Sequence, residues 1–282
     1  MKRNAIQTVP SFKANGQQAM CFMFYDFEHK ITPDWLDMAE NLFQIFGYEP
    51  SFAIGNFNKK HSDGSYKRIR KRLLSFLTEA EEGDSMDMRL DSIHDVPEEG
   101  FFPCQMHIVW VNHLGGIRDG EVSLRMSAKD DLYKFIDIVA PVIFKKVGKA
   151  YGSAFIFPAI YGPDAYHATM SSIPKGGGPN DNPEYSARLM NWCYNNLIKN
   201  KRPSQGFFRE IYPINFVLQA HLDRDFQGRP LEHYMKKVGT LERCDFNPDI
   251  FRWDVSEDVI DSVREALEPS GLVLSAPKIY TS

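Results

Sequence analysis

Three strand-like segments follow one another between residues 86 and 126, and this succession constrains the fold more than any other feature. Residues 86–91 alternate apolar and charged side chains, the pattern of a strand with one face in water. Residues 106–111 and 121–126 continue as strands, with the turn sequence IRDG just before the last of them. Since strands joined without a crossover helix pair as antiparallel neighbours, these segments predict an antiparallel sheet.

Segments of helical periodicity surround these strands, and an apolar run at residues 19–27 predicts a central strand buried on both faces. The helical patterns cover residues 33–46, 65–82, 127–146, 185–198, 230–239 and 256–267, the last of them capped by Ser256. The predicted fold class is α+β, with mainly antiparallel sheets covered by helices in two ferredoxin-like halves.

The chain divides by composition at a stretch rich in glycine and proline. We expect an N-terminal α+β half over residues 1–161, a connector over 162–183 and a C-terminal α+β half over 184–282. One continuous domain remains an alternative, because 282 residues are within the range of a single large domain.

Composition indicates a globular protein without a membrane span. Hydrophobic residues make up 43% and charged residues 25% of the chain, and no window approaches about 18 consecutive apolar residues. The N-terminus lacks the apolar core of a signal peptide and the four cysteines form no C-x-x-C pair, so we expect a cytoplasmic protein with reduced thiols. The net charge of −4 argues against a nucleic-acid coat protein and favours a basic partner.

Arg209 and Glu210 stand side by side in the otherwise apolar run GFFREIYPINFVLQAHL, residues 206–222. A charge among buried groups must be paired or hydrogen-bonded, because desolvating it alone costs several kcal/mol. The two residues are therefore either a structural ion pair that holds the second half together or part of a recognition surface. Residues 207–212 of this run predict a strand, whereas residues 215–222 fit a helix and a strand equally well.

The basic run KRIRKR at residues 67–72 is the strongest local charge feature. It would suit nucleic-acid binding, but residues 79–99 contain nine acidic side chains against one arginine and could neutralise it. A solvated helix face and a nucleic-acid surface both remain open.

No stretch of the chain carries a complete catalytic or metal-binding motif. The eight histidines include no H-E-x-x-H pair, and no G-x-S-x-G or phosphate-binding loop occurs. We therefore predict no cofactor, no metal and no catalytic residue. The alternative of an enzyme would need a site assembled from distant residues, with His107, His221 or the Arg209 and Glu210 pair as candidates.

Loops with aromatic and acidic side chains are the predicted partner-binding surface. Asp164 and Tyr166 lie beside a Gly-Pro turn, and Asp181 and Glu184 follow three consecutive glycines. Tyrosine in such a loop buries a large area at low entropic cost and keeps a polar group, which suits a protein interface.

The C-terminal half resembles a known family in the order of its segments. These are FREIYPIN at 208–215, GTLERC at 239–244, FRWDV at 251–255 and VREALEPSGL at 263–272. In this layout the chain resembles bacterial immunity proteins of polymorphic and type VI secreted toxins, nearest to the Imm52-like group. The resemblance implies a cytoplasmic antidote that blocks one cognate toxin by binding it, without catalysis. A mildly acidic antidote suits a basic toxin such as a nuclease.

Overall fold

Ten strands of the described residues form one antiparallel sheet, which includes segments from both halves of the chain. The computed structural model describes residues 18–27, 32–58, 60–81, 84–92, 104–111, 117–125, 131–158 and 201–273. Within these residues, six helices accompany the sheet. The predicted α+β class, with antiparallel strands covered by helices, is therefore confirmed.

The strands are numbered in chain order. They are β1 Gln18–Tyr25, β2 Phe52–Phe57, β3 Lys60–Ser65, β4 Met86–Asp91, β5 Cys104–Val111, β6 Ile117–Arg125, β7 Tyr151–Pro158, β8 Ile214–Leu218, the two-residue β9 Asp225–Phe226 and β10 Arg229–Pro230, β11 Thr240–Cys244 and β12 Asn247–Asp254. The helices are α1 Asp34–Ile45, α2 Tyr66–Glu79, α3 Leu132–Val147, α4 Gln219–Leu222, α5 Leu231–Val238 and α6 Ile260–Leu267.

The order of strands across the sheet is β11-β12-β8-β7-β1-β6-β5-β4-β2-β3, and β9 and β10 form a separate small hairpin. Strand β1 lies near the centre between β7 and β6, which explains why its sequence is apolar on both faces. Strands β7 and β8 join the two halves, with Gly152 opposite Phe216 and Ala154 opposite Ile214. The domain boundaries proposed around residues 162–183 stay a prediction, since that segment lies outside the described residues.

Each face of the sheet has its own hydrophobic core. Helices α1, α2 and α3 cover one face, where Phe22 packs edge-on against Phe144 and Phe216. Helices α4, α5 and α6 cover the other face over β1, β7, β8 and β12, where Trp253 is fully buried. Successive side chains of a strand point to opposite faces of the sheet, so a core on each face buries both sets.

Two assignments made from the sequence were wrong in the second half, and one ambiguous segment is resolved. Residues 207–212 form no strand beyond one bridge from Phe208 to Val273, although most of them are buried. The strand is instead β8, so the ambiguous segment splits into a strand followed by the short α4. Ser256 does not cap α6, because its hydroxyl donates to the Asp258 side chain and the helix begins only at Ile260. The predicted helix at 185–198 lies outside the described residues.

Candidate functional site

A groove of about 870 Å³ lies where α3 begins and β12 ends. Its walls are the first turn of α3, the turn between α5 and β11, and residues 254–257. We call it the acidic groove. It is far larger than a single side chain and lies in the size range of sites that hold a ligand or a short peptide segment.

The acidic groove has an apolar floor and a charged rim. Buried Leu132, Pro213 and Val255 line it together with half-buried Ile156 and Val238. Three carboxylates and one ammonium group are among the lining side chains, and these belong to Asp131, Asp254, Glu257 and Lys134. The lining therefore carries an excess of negative charge above an apolar base.

Local structure fixes the two sides of the rim. Asp131 is the N-cap of α3, and its carboxylate accepts a hydrogen bond from the backbone N–H of Tyr133 at 2.9 Å. This cap holds Tyr133 at the mouth of the groove with 45% of its surface exposed. Glu257 is exposed on the opposite side, in the segment that follows β12.

Arg252 of β12 connects the sheet to α3 beside the groove. Its Nη1 donates to Asp137 of α3 at 2.9 Å, and its Nε donates to Asp254 at 2.8 Å. The guanidinium carbon also lies 5.3 Å from the centroid of the Tyr133 ring, within range of a cation–π contact. One arginine thus positions an aromatic side chain and two carboxylates.

Burial affects the ionisable groups of the rim. It raises the pKa of Asp254, while the ion pair with Arg252 acts in the opposite direction. Burial also raises the pKa of Tyr133, with the negative charge of Asp254 as the next cause, so the phenol stays protonated at neutral pH. Tyr133 therefore keeps a hydroxyl that can donate a hydrogen bond to a partner.

A second polar region lies on the sheet face that α4, α5 and α6 cover elsewhere. Arg89, His107 and Glu121 occupy one cross-strand row on β4, β5 and β6. A hydrogen bond of 2.8 Å joins His107 Nε2 to Asp87. Burial acts to raise the pKa of Asp87, but His107, Asn56 and Arg89 together outweigh this effect and the pKa is lowered. This polar face contains paired side chains, and His107 is a bonded histidine within it.

Arg209 reaches the same polar face from the segment before β8. Its guanidinium lies 3.6 Å from the carboxylate of Asp119 on β6 and 4.7 Å from the centroid of the Tyr25 ring. Burial raises the pKa of Asp119 to about 7, although Arg209 acts to lower it. Arg209 and Asp119 therefore form a buried contact between β6 and the second half of the chain.

Glu210 points to a different partner. Its carboxylate accepts a hydrogen bond from Arg264 Nε of α6 at 2.6 Å and another from the backbone N–H of Ile211 at 2.9 Å. Glu210 is 1% and Arg264 is 7% exposed. An ion pair between Arg209 and Glu210 themselves stays a prediction. Each of them has an ion pair with another element, which ties α6 and β6 to this segment.

His221, the other histidine considered for an enzyme site, lies in the second hydrophobic core. It is fully buried, stacks on Tyr151 at 5.3 Å and contacts Phe208 edge-on. Its Nδ1 accepts a hydrogen bond from the backbone N–H of Leu218. Burial lowers the pKa of His221 to about 3, so the ring is neutral. It packs in the core of this half, whereas His107 lies on the polar face.

The basic run on α2 is partly engaged within the protein. Arg70 donates to Glu40 at 2.6 Å and 2.9 Å and to Asp37 at 3.2 Å, so acidic residues of α1 bind it. In the described part of residues 79–99, Glu79 lies 3.1 Å from Lys60, a basic residue close to this run. These contacts favour a solvated and internally paired helix face for this run.

The four residues predicted to bind a partner, Asp164, Tyr166, Asp181 and Glu184, lie outside the described residues and stay predictions. Among the described residues, no group of three or more His, Cys, Asp or Glu side chains is arranged to hold a metal ion. No helix in that part of the chain is long and apolar enough to cross a membrane.

Sequence reasoning missed the acidic groove, because its charged residues are far apart in the chain. Asp131 and Glu257 are brought together only when β12 pairs with β8 and α3 packs beside it. The available signal was the acidic cluster at residues 254–258.

Comparison with known proteins identifies a shared fold. No family model matches the chain, and no curated protein matches it. A solved structure of the Pseudomonas aeruginosa T6SS (type VI secretion system) protein PA0821 aligns with 91% of this chain and 73% of its own, at 9% identity and a TM-score of 0.55. A second structure, the toxic C-terminal tip of CdiA from Pseudomonas aeruginosa in complex with an immune protein, covers 51% of this chain and 88% of its own at 11% identity, but its TM-score of 0.24 supports no conclusion. The chain is similar in architecture to a type VI secretion protein, and the resemblance drawn from the sequence is confirmed at the level of fold.

Proposed function

We propose that this protein is an immunity protein that neutralises a cognate bacterial toxin by binding to it. The observation that carries the proposal is the fold shared with a type VI secretion protein over 91% of the chain. It agrees with the independent resemblance of residues 208–272 to immunity proteins of type VI toxins. The proposed place of action is the cytoplasm, and the proposed mode is inhibition without catalysis.

The surface of the described residues supports this proposal. The acidic groove combines an apolar floor, an exposed tyrosine and an excess of carboxylates, which are features of a surface that binds a basic protein. The net charge of −4 acts in the same direction, because complementary charge accelerates encounter with a basic toxin. The proposed loop contacts Asp164, Tyr166, Asp181 and Glu184 would add to this surface.

The test is a neutralisation assay with the proteins encoded next to this gene. Each neighbouring coding sequence is expressed from an inducible promoter in a laboratory bacterium, with and without this protein. We expect one product that stops growth alone and is tolerated when this protein is present. An unrelated immunity protein expressed at the same level serves as the control.

Direct binding distinguishes an antidote from an enzyme that repairs damage. A toxin inactivated at its catalytic residues should still form a 1:1 complex with this protein, with a nanomolar Kd in calorimetry. The proposal is wrong if no neighbouring product is toxic, or if protection occurs without a complex.

A further inference from the structure

We infer that the acidic groove is the docking surface for a lysine- or arginine-bearing segment of a protein partner, one that also carries apolar side chains. That the partner is a toxin rests on the proposed function. The assignment of the groove and of the chemistry that it accepts rests on the geometry alone.

The charges around the groove favour a basic partner. The rim and the Arg252 network beside it contain the carboxylates of Asp131, Asp137, Asp254 and Glu257 against the cations of Lys134 and Arg252. Across the sheet register, Glu242 of β11 stands opposite Arg252 and adds another carboxylate. The lining itself carries three carboxylates against one ammonium group, so a cation is attracted to the groove. Lysine and arginine side chains supply the complementary charge.

The size and the lining of the groove favour a peptide segment. A volume of about 870 Å³ is too large for one side chain and suits a segment of several residues. Part of the lining is apolar, with half-buried Ile156 and Val238 beside buried Leu132, so a fully polar ligand would leave that part without a matching contact. A segment that alternates basic and apolar side chains would satisfy both the rim and the floor.

Tyr133 provides an exposed aromatic contact for a partner. It is one of four large hydrophobic side chains in the described residues that are markedly exposed, at 45%. Arg252 and the Asp131 cap hold it in place, so little side-chain entropy is lost when a partner covers it. Preorganised aromatic side chains of this kind often dominate the affinity of an interface. Tyr133 is therefore the expected anchor, with Glu257 as the principal charge opposite it.

A peptide titration tests the groove without any knowledge of the partner. The probe is an end-capped octapeptide of alternating lysine and leucine, added to ¹⁵N-labelled full-length protein in low salt. The control probe has glutamate in place of lysine. We expect the lysine peptide to shift the backbone amide signals of Tyr133, Thr240 and Glu257 and the control peptide to leave them unchanged.

Three variants locate the binding. Glu257→Lys should weaken binding of the lysine peptide about tenfold, because it converts an attraction at the rim into a repulsion. Tyr133→Ala should weaken it by a similar factor through lost contact area. The control is Glu81→Lys, which makes the same charge change on an exposed residue just after α2, outside the groove lining.

The outcomes separate this inference from the proposed function. It is overturned if the lysine peptide shifts signals over all acidic surfaces, if it shifts none, or if Glu81→Lys weakens binding as much as Glu257→Lys. The inference is also overturned if a toxin that this protein neutralises binds the Glu257→Lys, Tyr133→Ala double variant as tightly as the wild type. In that case the antidote function stands. If the lysine peptide binds the groove but no toxin is neutralised, the antidote function fails and the groove assignment stands.

Discussion

Removal of Arg264 should reveal how strongly buried charge holds the second half to the sheet. The substitution Arg264→Met keeps the length of the side chain but leaves the carboxylate of Glu210 without the guanidinium that lies 2.6 Å away. Since Glu210 is 1% exposed, water cannot replace the lost partner. Breaking a buried pair in this way costs about 3–5 kcal/mol of the free energy of unfolding.

That loss is a large fraction of the total stability of a domain, which is about 5–15 kcal/mol. Urea unfolding at pH 7, followed by tryptophan fluorescence and by circular dichroism, measures it. With a slope of up to about 3 kcal/mol per M for a protein of this size, the midpoint should fall by roughly 1–2 M while the slope stays constant. A changed slope would indicate loss of cooperativity rather than loss of one interaction.

Two companion variants identify the cause. The double variant Glu210→Met, Arg264→Met removes both charges, and it should recover most of the loss because no buried charge is left unpaired. Lys236→Ala breaks the exposed Lys236 to Glu232 contact at 2.7 Å and should cost less than about 1 kcal/mol. If Arg264→Met costs as little as Lys236→Ala, the pair does not hold the segment and the reasoning is refuted.

Two further perturbations test the polar face and a tight backbone contact. Burial raises the pKa of Asp119 from its ordinary value of 3.8 to about 7, while Arg209 acts to lower it. The contribution of this group to stability is therefore fully present below about pH 4 and is lost as the pH rises through 7. Asp119→Asn should flatten this part of the unfolding free energy against pH, and an unchanged slope between pH 4 and 8 would contradict the assignment. Gly206→Ala should lower stability by about 1–3 kcal/mol in thermal unfolding, because φ is 87° and a Cβ there would meet the carbonyl of Ala220. Gly228→Ala, where φ is 78° and no atom lies within 4 Å, should cost clearly less; equal losses would show that the close contact is unimportant.

The sequence predicts the architecture where the hydrophobic period is clear. The apolar run of β1 and the alternation in β4 identified a central strand and a half-exposed strand, and the succession of strands identified antiparallel pairing. Periodicity failed at residues 207–212, because Phe208 and Ile211 are buried by packing on the core rather than by a ladder of backbone hydrogen bonds. Strand β12 was missed since proline, arginine and aspartate interrupt its apolar residues.

The site is less predictable than the fold, because it depends on contacts between distant segments. No local pattern links Asp131 to Glu257, whereas the loops rich in glycine and tyrosine can be selected as candidates from composition alone. The Arg209 and Glu210 pair shows the same limit. Its buried charges were recognised from the apolar neighbours, but their partners Asp119 and Arg264 come from β6 and α6 and depend on the tertiary fold.

Charge distribution explains why the acidic groove is the better candidate for recognition than the polar face of the sheet. On the polar face, acidic side chains stand beside cationic ones, as Asp91 does 3.0 Å from Arg89, and such pairs cancel each other at a distance. Beside the acidic groove, Arg252 is shared between Asp137 and Asp254. The groove lining carries Asp131, Asp254 and Glu257 against the single cation of Lys134. Only uncompensated charge steers a partner over long range. A basic partner should therefore be attracted to the groove, while the paired charges of the polar face maintain the sheet that supports it.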